Sequence, residues 1–474
     1  MEWMNALNLS SEEIVTPDDA GAAEPMPVEV SAREVESGRV DVQGIDWRGL
    51  PISRDRFHEL RLGSYVNYTN TAVSRDVLAH QIFSPRLDGY FYQFHHTSLQ
   101  NKCSVVHIQL RNLVWATSKN DVFYTNPYGV AHWCPISKST SMALDLSQHD
   151  IGGMMISCMV ARHGILMVGG FFGEYLFRRI GDDEDAFETQ HKTPPAAHIL
   201  GSHVHKGTLT LDPRGSTNHM EIVYGRSSNG PQAIISSNDD SVRLMDITTR
   251  EMKKTLTFEK PVNCTTQSPD KRMLCVVGDF ENTLIVDSEG GKHLATLTGH
   301  TDYSFACAWS PCGRLLATGN QDLTTRIYDT RNFAKTLAVL PATMGAIRSL
   351  RFSDDAAILA IAESVDYVNL VDVSAPLPPA DYQSTPPPPP PPSSALTSKC
   401  ALDDLHPDRL RTQVVDFFGE VAGISFAPGD AGDDAFFIGI SDPKYGSVLE
   451  LHRDRRSSKY RTTGSSVRTD RLWL

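Results

Sequence analysis

An all-β fold is what the sequence predicts, a single seven-bladed β-propeller, and two landmarks that share one period carry the prediction. Asp246, Asp287, Asp329 and Asp372 each close a strand-like run after two apolar residues, at spacings of 41, 42 and 43 residues. Ser268-Pro269-Asp270, Ser310-Pro311-Cys312-Gly313 and Ser353-Asp354-Asp355 each follow an apolar strand and open a turn, at intervals of 42 and 43. Self-similarity at a fixed period of this length marks a repeat architecture in which each unit buries its face against the next. Within a period, runs such as Leu315 to Thr318 and Thr325 to Tyr328 read as short strands, separated by polar turn residues such as Gly319-Asn320-Gln321-Asp322. Four such strands make one blade.

Working outward from Asp246 places blades at 103–146, 147–190, 191–260, 262–297, 298–340, 343–375 and 414–452, all within a propeller of residues 101–452. Those before 190 rest on strand patterning alone. The turn after Phe426 comes 74 residues after Ser353, about 31 more than one period. The low-complexity stretch 376–406 matches that surplus, which makes it an insertion between the sixth and seventh blades. It contains Pro386, Pro387, Pro388, Pro389, Pro390, Pro391 and Pro392, a run that favours an extended polyproline II rod. That rod reads either as a solvated spacer or as a ligand for an SH3, WW or profilin-type domain.

Residues 1–45 are acidic, rich in Pro and Ala and poor in aromatics, a composition that predicts disorder or a short docking peptide. Residues 46–100 carry the aromatic clusters Tyr65-Val66-Asn67-Tyr68 and Tyr90-Phe91-Tyr92-Gln93-Phe94. A propeller has to close its ring, and a strand from the N-terminal side commonly completes the last blade. Tyr65 to Tyr68 is the candidate. Residues 453–474 form a basic tail with Arg453, Arg455, Arg456, Lys459, Arg461, Arg468 and Arg471, read as solvated or as a nuclear-import or anionic-surface contact.

Composition narrows the function classes. A net charge of −13 argues against a specific nucleic-acid binder, which needs clustered Lys and Arg. Eight cysteines occur with no Cys-x-x-Cys pair, and Cys158, Cys264, Cys275 and Cys307 fall in predicted strands, so they read as apolar packing in a reducing compartment, the cytoplasm or the nucleus. The apolar stretch from Ile151 to Phe172 is interrupted by Arg162-His163-Gly164 and four further glycines, so two buried strands explain it better than a membrane span. There is no phosphate loop, no nucleophile elbow and no His-Glu-x-x-His. His198, His203 and His205 cluster near Asp212 but lack the further ligands a metal site requires. No catalytic residue, metal or cofactor is expected.

Thr298-Gly299-His300 followed 29 residues later by Tyr328-Asp329 resembles the Gly-His to Trp-Asp frame of WD repeats. Three stretches, Gly319 to Arg331, Gly345 to Asp372 and Phe417 to Leu451, resemble a little-described family of fungal and plant WD-repeat proteins. The resemblance implies a protein-interaction scaffold. It also implies that His300, Thr318, Asp322 and Tyr328 occupy the positions of the family's structural hydrogen-bond tetrad, with Tyr328 replacing the usual tryptophan and losing its indole donor. Leu316 to Asp322 together with Ile327 to Arg331 resembles the box by which some WD proteins dock on the damage-binding adaptor of cullin-4 ubiquitin ligases; the resemblance makes Arg331 the adaptor contact and the protein a substrate receptor. Tyr303 and Arg348, on loops between blades, are the other candidate partner contacts. A small-ligand or catalytic site in the central channel is the alternative from a different class, disfavoured because the equivalent loops carry no common chemistry.

Overall fold

The computed structural model describes residues 28–107, 109, 111–149, 153–180, 203–227, 230–334, 336–374, 410–428 and 435–454. They form seven antiparallel four-stranded blades arranged in a ring. Each blade starts at the central channel with its inner strand and steps outward. The inner strands are Val114–Ser118, Ile156–Arg162, Thr217–Tyr224, Val262–Gln267, Ser304–Trp309, Ile347–Phe352 and the second half of Arg411–Ala427. We call the face where the inner strands begin the upper face. Contacts between one blade's sheet and the next form the core, as in the packing of Ala317 and Ile327 of blade five against Leu350 and Ile361 of blade six.

The periodic serines explain why the turns repeat. Ser268, Ser310 and Ser353 each accept a hydrogen bond on the hydroxyl from the backbone N–H five residues on, at 2.9 Å in all three blades. The fourth residue of each turn is left-handed: Lys271, Gly313 and Ala356 have φ of 64°, 73° and 56°. One side chain and one backbone twist thus fix the same lower-face turn three times. The apolar stretch before residue 172 forms the strands Ile156–Arg162 and Ile165–Gly170. His163 and Gly164, both at positive φ, make the tight turn between them.

The expected blade boundaries need two corrections. The outer strand of the second blade is His205–Thr208, paired to Glu174–Arg179, so the long interval assigned to the third blade begins with a strand of the second. The insertion assigned between blades six and seven lies instead inside blade six. Residues 411–416 of Arg411–Ala427 pair with Val365–Asp372 as its outer strand, and the same strand runs on from residue 420 as the inner strand of blade seven. Both long insertions therefore fall in sequence between a third strand and an outer strand. The Pro-rich run itself and the basic tail after residue 454 lie outside the described residues.

The closing strand also differs from expectation. Tyr92–Ser98 pairs antiparallel with Ser447–Arg453 and completes blade seven, and Glu29–Ser31 adds a fifth strand beyond it. Order therefore reaches into the segment expected to be disordered to residue 45, where Ala32–Glu36 is helical. Tyr65 to Tyr68 lies over the upper face instead. Tyr92 is fully buried, its ring 5.9 Å from those of Phe426 and Phe436. Gln413 ties its backbone to blade six, accepting from the Phe91 and Tyr92 amides and donating to the Tyr92 carbonyl. Replacing Tyr92 by Ala removes the largest side chain of the closure and is expected to cost about 3 kcal/mol or more, read as a lowered urea midpoint.

Candidate functional site

The upper face is covered by the N-terminal extension, laid across blades seven, six and five as a strap. Helix Arg54–Ser64 starts it, with Ser53 capping its first turn. Arg54 pairs with Asp416 at 2.6 Å, Arg61 makes a forked pair with the buried Asp366, and Phe57 meets Phe418 edge to face at 4.9 Å. Beyond the helix, Tyr65 hydrogen-bonds Ser364 at 2.8 Å. Asn67 brackets a loop of blade six, donating to the Met344 carbonyl and accepting from the Ala346 amide. Asn70 donates twice to Asp302, and Thr71 to the Thr301 carbonyl.

The tetrad positions of blade five do meet in space. Asp322 accepts from His300 Nδ1 at 2.9 Å, and His300 Nε2 lies 2.8 Å from the Thr318 hydroxyl. The Thr301 amide and the Thr324 hydroxyl also donate to Asp322, which holds its carboxyl below the usual range even though burial opposes this. The chain stops at Thr318. The Tyr328 hydroxyl is buried beside it without a hydrogen bond of normal geometry, and burial pushes that phenol up to about 12. The repeat-end aspartates cap lower-face turns: Asp246, Asp287, Asp329 and Asp372 accept the amides of Thr249, Glu289, Arg331 and Ser374.

Of the candidate contacts, Arg331 stands on the lower face, its side chain half exposed and folded back onto Asp329 at 2.8 Å. Tyr303 is partly exposed on the upper face beside Lys260. Arg348 is not available to a partner, which corrects the expectation: it is 8% exposed and points into the central channel. A β-bulge is the reason. Six inner strands carry an extra residue near their start, Ser157, Asn218, Asn263, Phe305, Arg348 and Ala422, where the register shifts by one, and a bulge re-aims the side chain it carries.

The channel lining was not read from the sequence. Asn218, Asn263, Phe305 and Arg348 enter it from bulges, joined by Arg111, Asn112, His219 and Arg351. The signal was present, since the four bulged residues from Asn218 to Arg348 recur at 45, 42 and 43 residues, but it is a period in position and not in residue type. The Arg348 guanidinium lies 4.0 Å over the Phe305 ring. Burial and the neighbouring Arg111 hold its pKa down to about 9. Arg351 stacks 4.4 Å over Trp115, and Arg111 pairs with Glu420 at 2.8 Å. On the rim of blade seven, His95 in the closing strand meets Glu450 and His452 with ligand atoms within 4.8 Å of one another, a group that could hold a metal ion. His203 and His205 are not part of such a group, and the His205 ring stacks on Phe177.

Residues 291–329, from the third-strand turn of blade four to the repeat-end aspartate of blade five, match the family model of the WD domain, G-beta repeat. The ring is a WD-repeat β-propeller. An uncharacterized protein of Schizosaccharomyces pombe is 25% identical over 284 residues, 56% of this chain and 74% of that protein. A chain in the crystal structure of a mitotic checkpoint complex superposes with a TM-score of 0.52 at 13% identity, over 82% of this chain and 96% of that one, a likeness of fold alone.

Another residue of the WD-repeat propeller absent from the sequence reading is Glu363, on the second strand of blade six. Fully buried, its carboxyl gathers the amides of Thr343, Met344 and Gly345 at 2.6 to 2.7 Å and the Asn369 side chain at 3.1 Å. Burial outweighs these donors and pushes its pKa up from 4.5 to about 7. Between those values the folded state holds a proton that the unfolded chain has released. The stability this adds is complete below about 4.5 and is lost as pH rises through about 7, with a slope approaching 1.4 kcal/mol per pH unit. Denaturation of the wild type and of Glu363→Gln across pH 5 to pH 7, roughly that window, is expected to show the slope in the first and its loss in the second.

Proposed function

We propose that this WD-repeat propeller is an assembly scaffold that recruits another protein through the strap on its upper face. Propellers of this repeat are generally protein-interaction scaffolds. The supporting observation is the apolar surface of the strap: Leu60, Leu62, Val66, Tyr68 and Val77 are all exposed, Val66 at 86% and Tyr68 at 69%. Surface apolar residues scattered singly need no explanation, and the concentration of these on one segment over the upper face supports an interaction site. Tyr68 has Tyr303 as an upper-face neighbour, and aromatic anchors carry a large share of binding energy at interfaces. The experiment is proximity labelling in cells with the wild type and with Val66→Asp/Tyr68→Ala. The expected result is a set of labelled proteins lost in the variant at an unchanged thermal midpoint. Any partner recovered pure should bind the variant more weakly by about 2 kcal/mol, roughly thirtyfold. An unchanged set overturns the reading.

A second reading, reception of substrates for a cullin-RING ubiquitin ligase, is supported by the half-exposed Arg331 at the lower-face turn of the best-kept repeat. It places the adaptor on the lower face and leaves the strap for the substrate. Co-purification of the adaptor with the wild type and its loss with Arg331→Ala is the expected outcome; equal recovery from both, or none from either, removes this reading.

A further inference from the structure

Among the described residues, the lining of the central channel carries more positive charge than it pairs. Arg348 donates from Nη2 to Gln321 at 2.7 Å, while its Nε and Nη1 are buried with no acceptor. Asn112 Nδ2, in the same space, has no acceptor either, its Oδ1 being taken by Arg351. Arg111 and Arg351 enter the same lining. Among the described residues the carboxylate ion-paired with this group is Glu420, bound to Arg111 and itself 41% exposed on its side chain, while Asp302 and Glu221 act on Arg348 and Arg351 from farther off.

At neutral pH the guanidinium keeps its proton, where a buried lysine or histidine can shed it. Burying one without a counter-charge costs several kcal/mol. Water could satisfy the N–H groups but would leave the charge. The orphaned groups of Arg348 and Asn112 are all donors, so the partner they call for is an acceptor, and the charge makes it an anion. The space they line is small, about 20 Å³, on the scale of one or two water molecules, which suits a halide or a small oxyanion and not a large ligand.

We propose that the central channel binds one small inorganic anion between Arg348, Arg111 and Asn112. The site goes beyond the scaffold reading and does not depend on it. The anion joins the inner strand of blade six to the segment leading into blade one, at the level where the strap covers the upper face. It is a structural ligand, and its removal weakens the ring from inside.

The test is the thermal midpoint of the full chain in buffers of constant ionic strength, titrated with chloride or with inorganic phosphate against a bulky organic counter-ion. Ligand linkage predicts a midpoint that rises with the logarithm of anion concentration, about 2 °C per tenfold above the dissociation constant. Phosphate acting at lower concentration than chloride identifies an oxyanion site; the reverse order identifies a halide site. Arg348→Met is expected to lose the dependence. Because that variant can also disturb folding, Asn112→Asp is the second arm: it places a carboxylate beside Arg348, keeps an acceptor for Arg351, and is expected to hold a high midpoint without any added anion. A flat wild-type response, or the same slope in wild type and both variants, overturns the proposal, since the first means no site and the second means general screening.

Discussion

One extra residue near the start of the inner strand sets how neighbouring blades meet. In blades two, three and four the bulged residue is Ser157, Asn218 or Asn263, and each donates to a backbone carbonyl at the start of the next blade's inner strand, those of Thr217, Val262 and Ser304. These bonds pass round the channel from one sheet to the next and satisfy carbonyls that would otherwise be buried unpaired. At blade five the bulged residue is Phe305, which has nothing to donate. Arg348 stacks on that ring, and the polar relay gives way to a cation over an aromatic face. At this point of the relay Arg348 brings charge into the channel beside Arg111 and Arg351.

Between blades seven and one the bulged residue is Ala422, and the sheets meet through backbone. The Leu113 amide donates to the Ala422 carbonyl at 3.1 Å. A Cβ on the adjoining Gly423 would stand 2.8 Å from the Val114 nitrogen, closer than such atoms approach. The ring therefore closes twice by different means. Inside, small residues let two backbones touch; outside, Tyr92–Ser98 adds the missing strand.

How much of this was legible follows from what each feature asks of the residues. The serine turns, the repeat-end aspartates and the His300–Asp322 pair require particular side chains, so the sequence shows them. The outer strands require little beyond an edge to pair with, and His205–Thr208 has the burial of a surface strand. That is why His205–Thr208 reads as part of the third blade and the 376–406 insertion as falling after the sixth. Tyr65 to Tyr68 reads as a closing strand because aromatic residues cluster there, yet the residue that anchors it is Asn67, whose amide imitates a strand partner for one loop. Arg348 looked like a loop residue because no sequence rule marks a bulge. The same blindness hid Glu363, which stands one period after Asn320 and serves the equivalent loop of the next blade by a different chemistry. Asn320 donates to the Asp302 carbonyl, whereas Glu363 accepts three amides.

The strap and the closing strand belong to one continuous segment, so a partner on the upper face would seem able to pull the ring open. The anchors between them argue otherwise. After the strap, the Phe83 amide donates to the Val339 carbonyl on the outer strand of blade five, and Arg86 exchanges backbone bonds with Leu410 and Thr412 of blade six. Gly89 then packs against Thr412, where a Cβ would come within 2.6 Å of backbone. Each tether is a local unit that can hold while its neighbour opens. Residues 65–71 can therefore leave the upper face at the cost of their own hydrogen bonds to it, without releasing Tyr92 from between Phe426 and Phe436. A binding surface on the strap is compatible with a ring that stays shut, because the free energies of the two are separated by the chain's return journey around the rim.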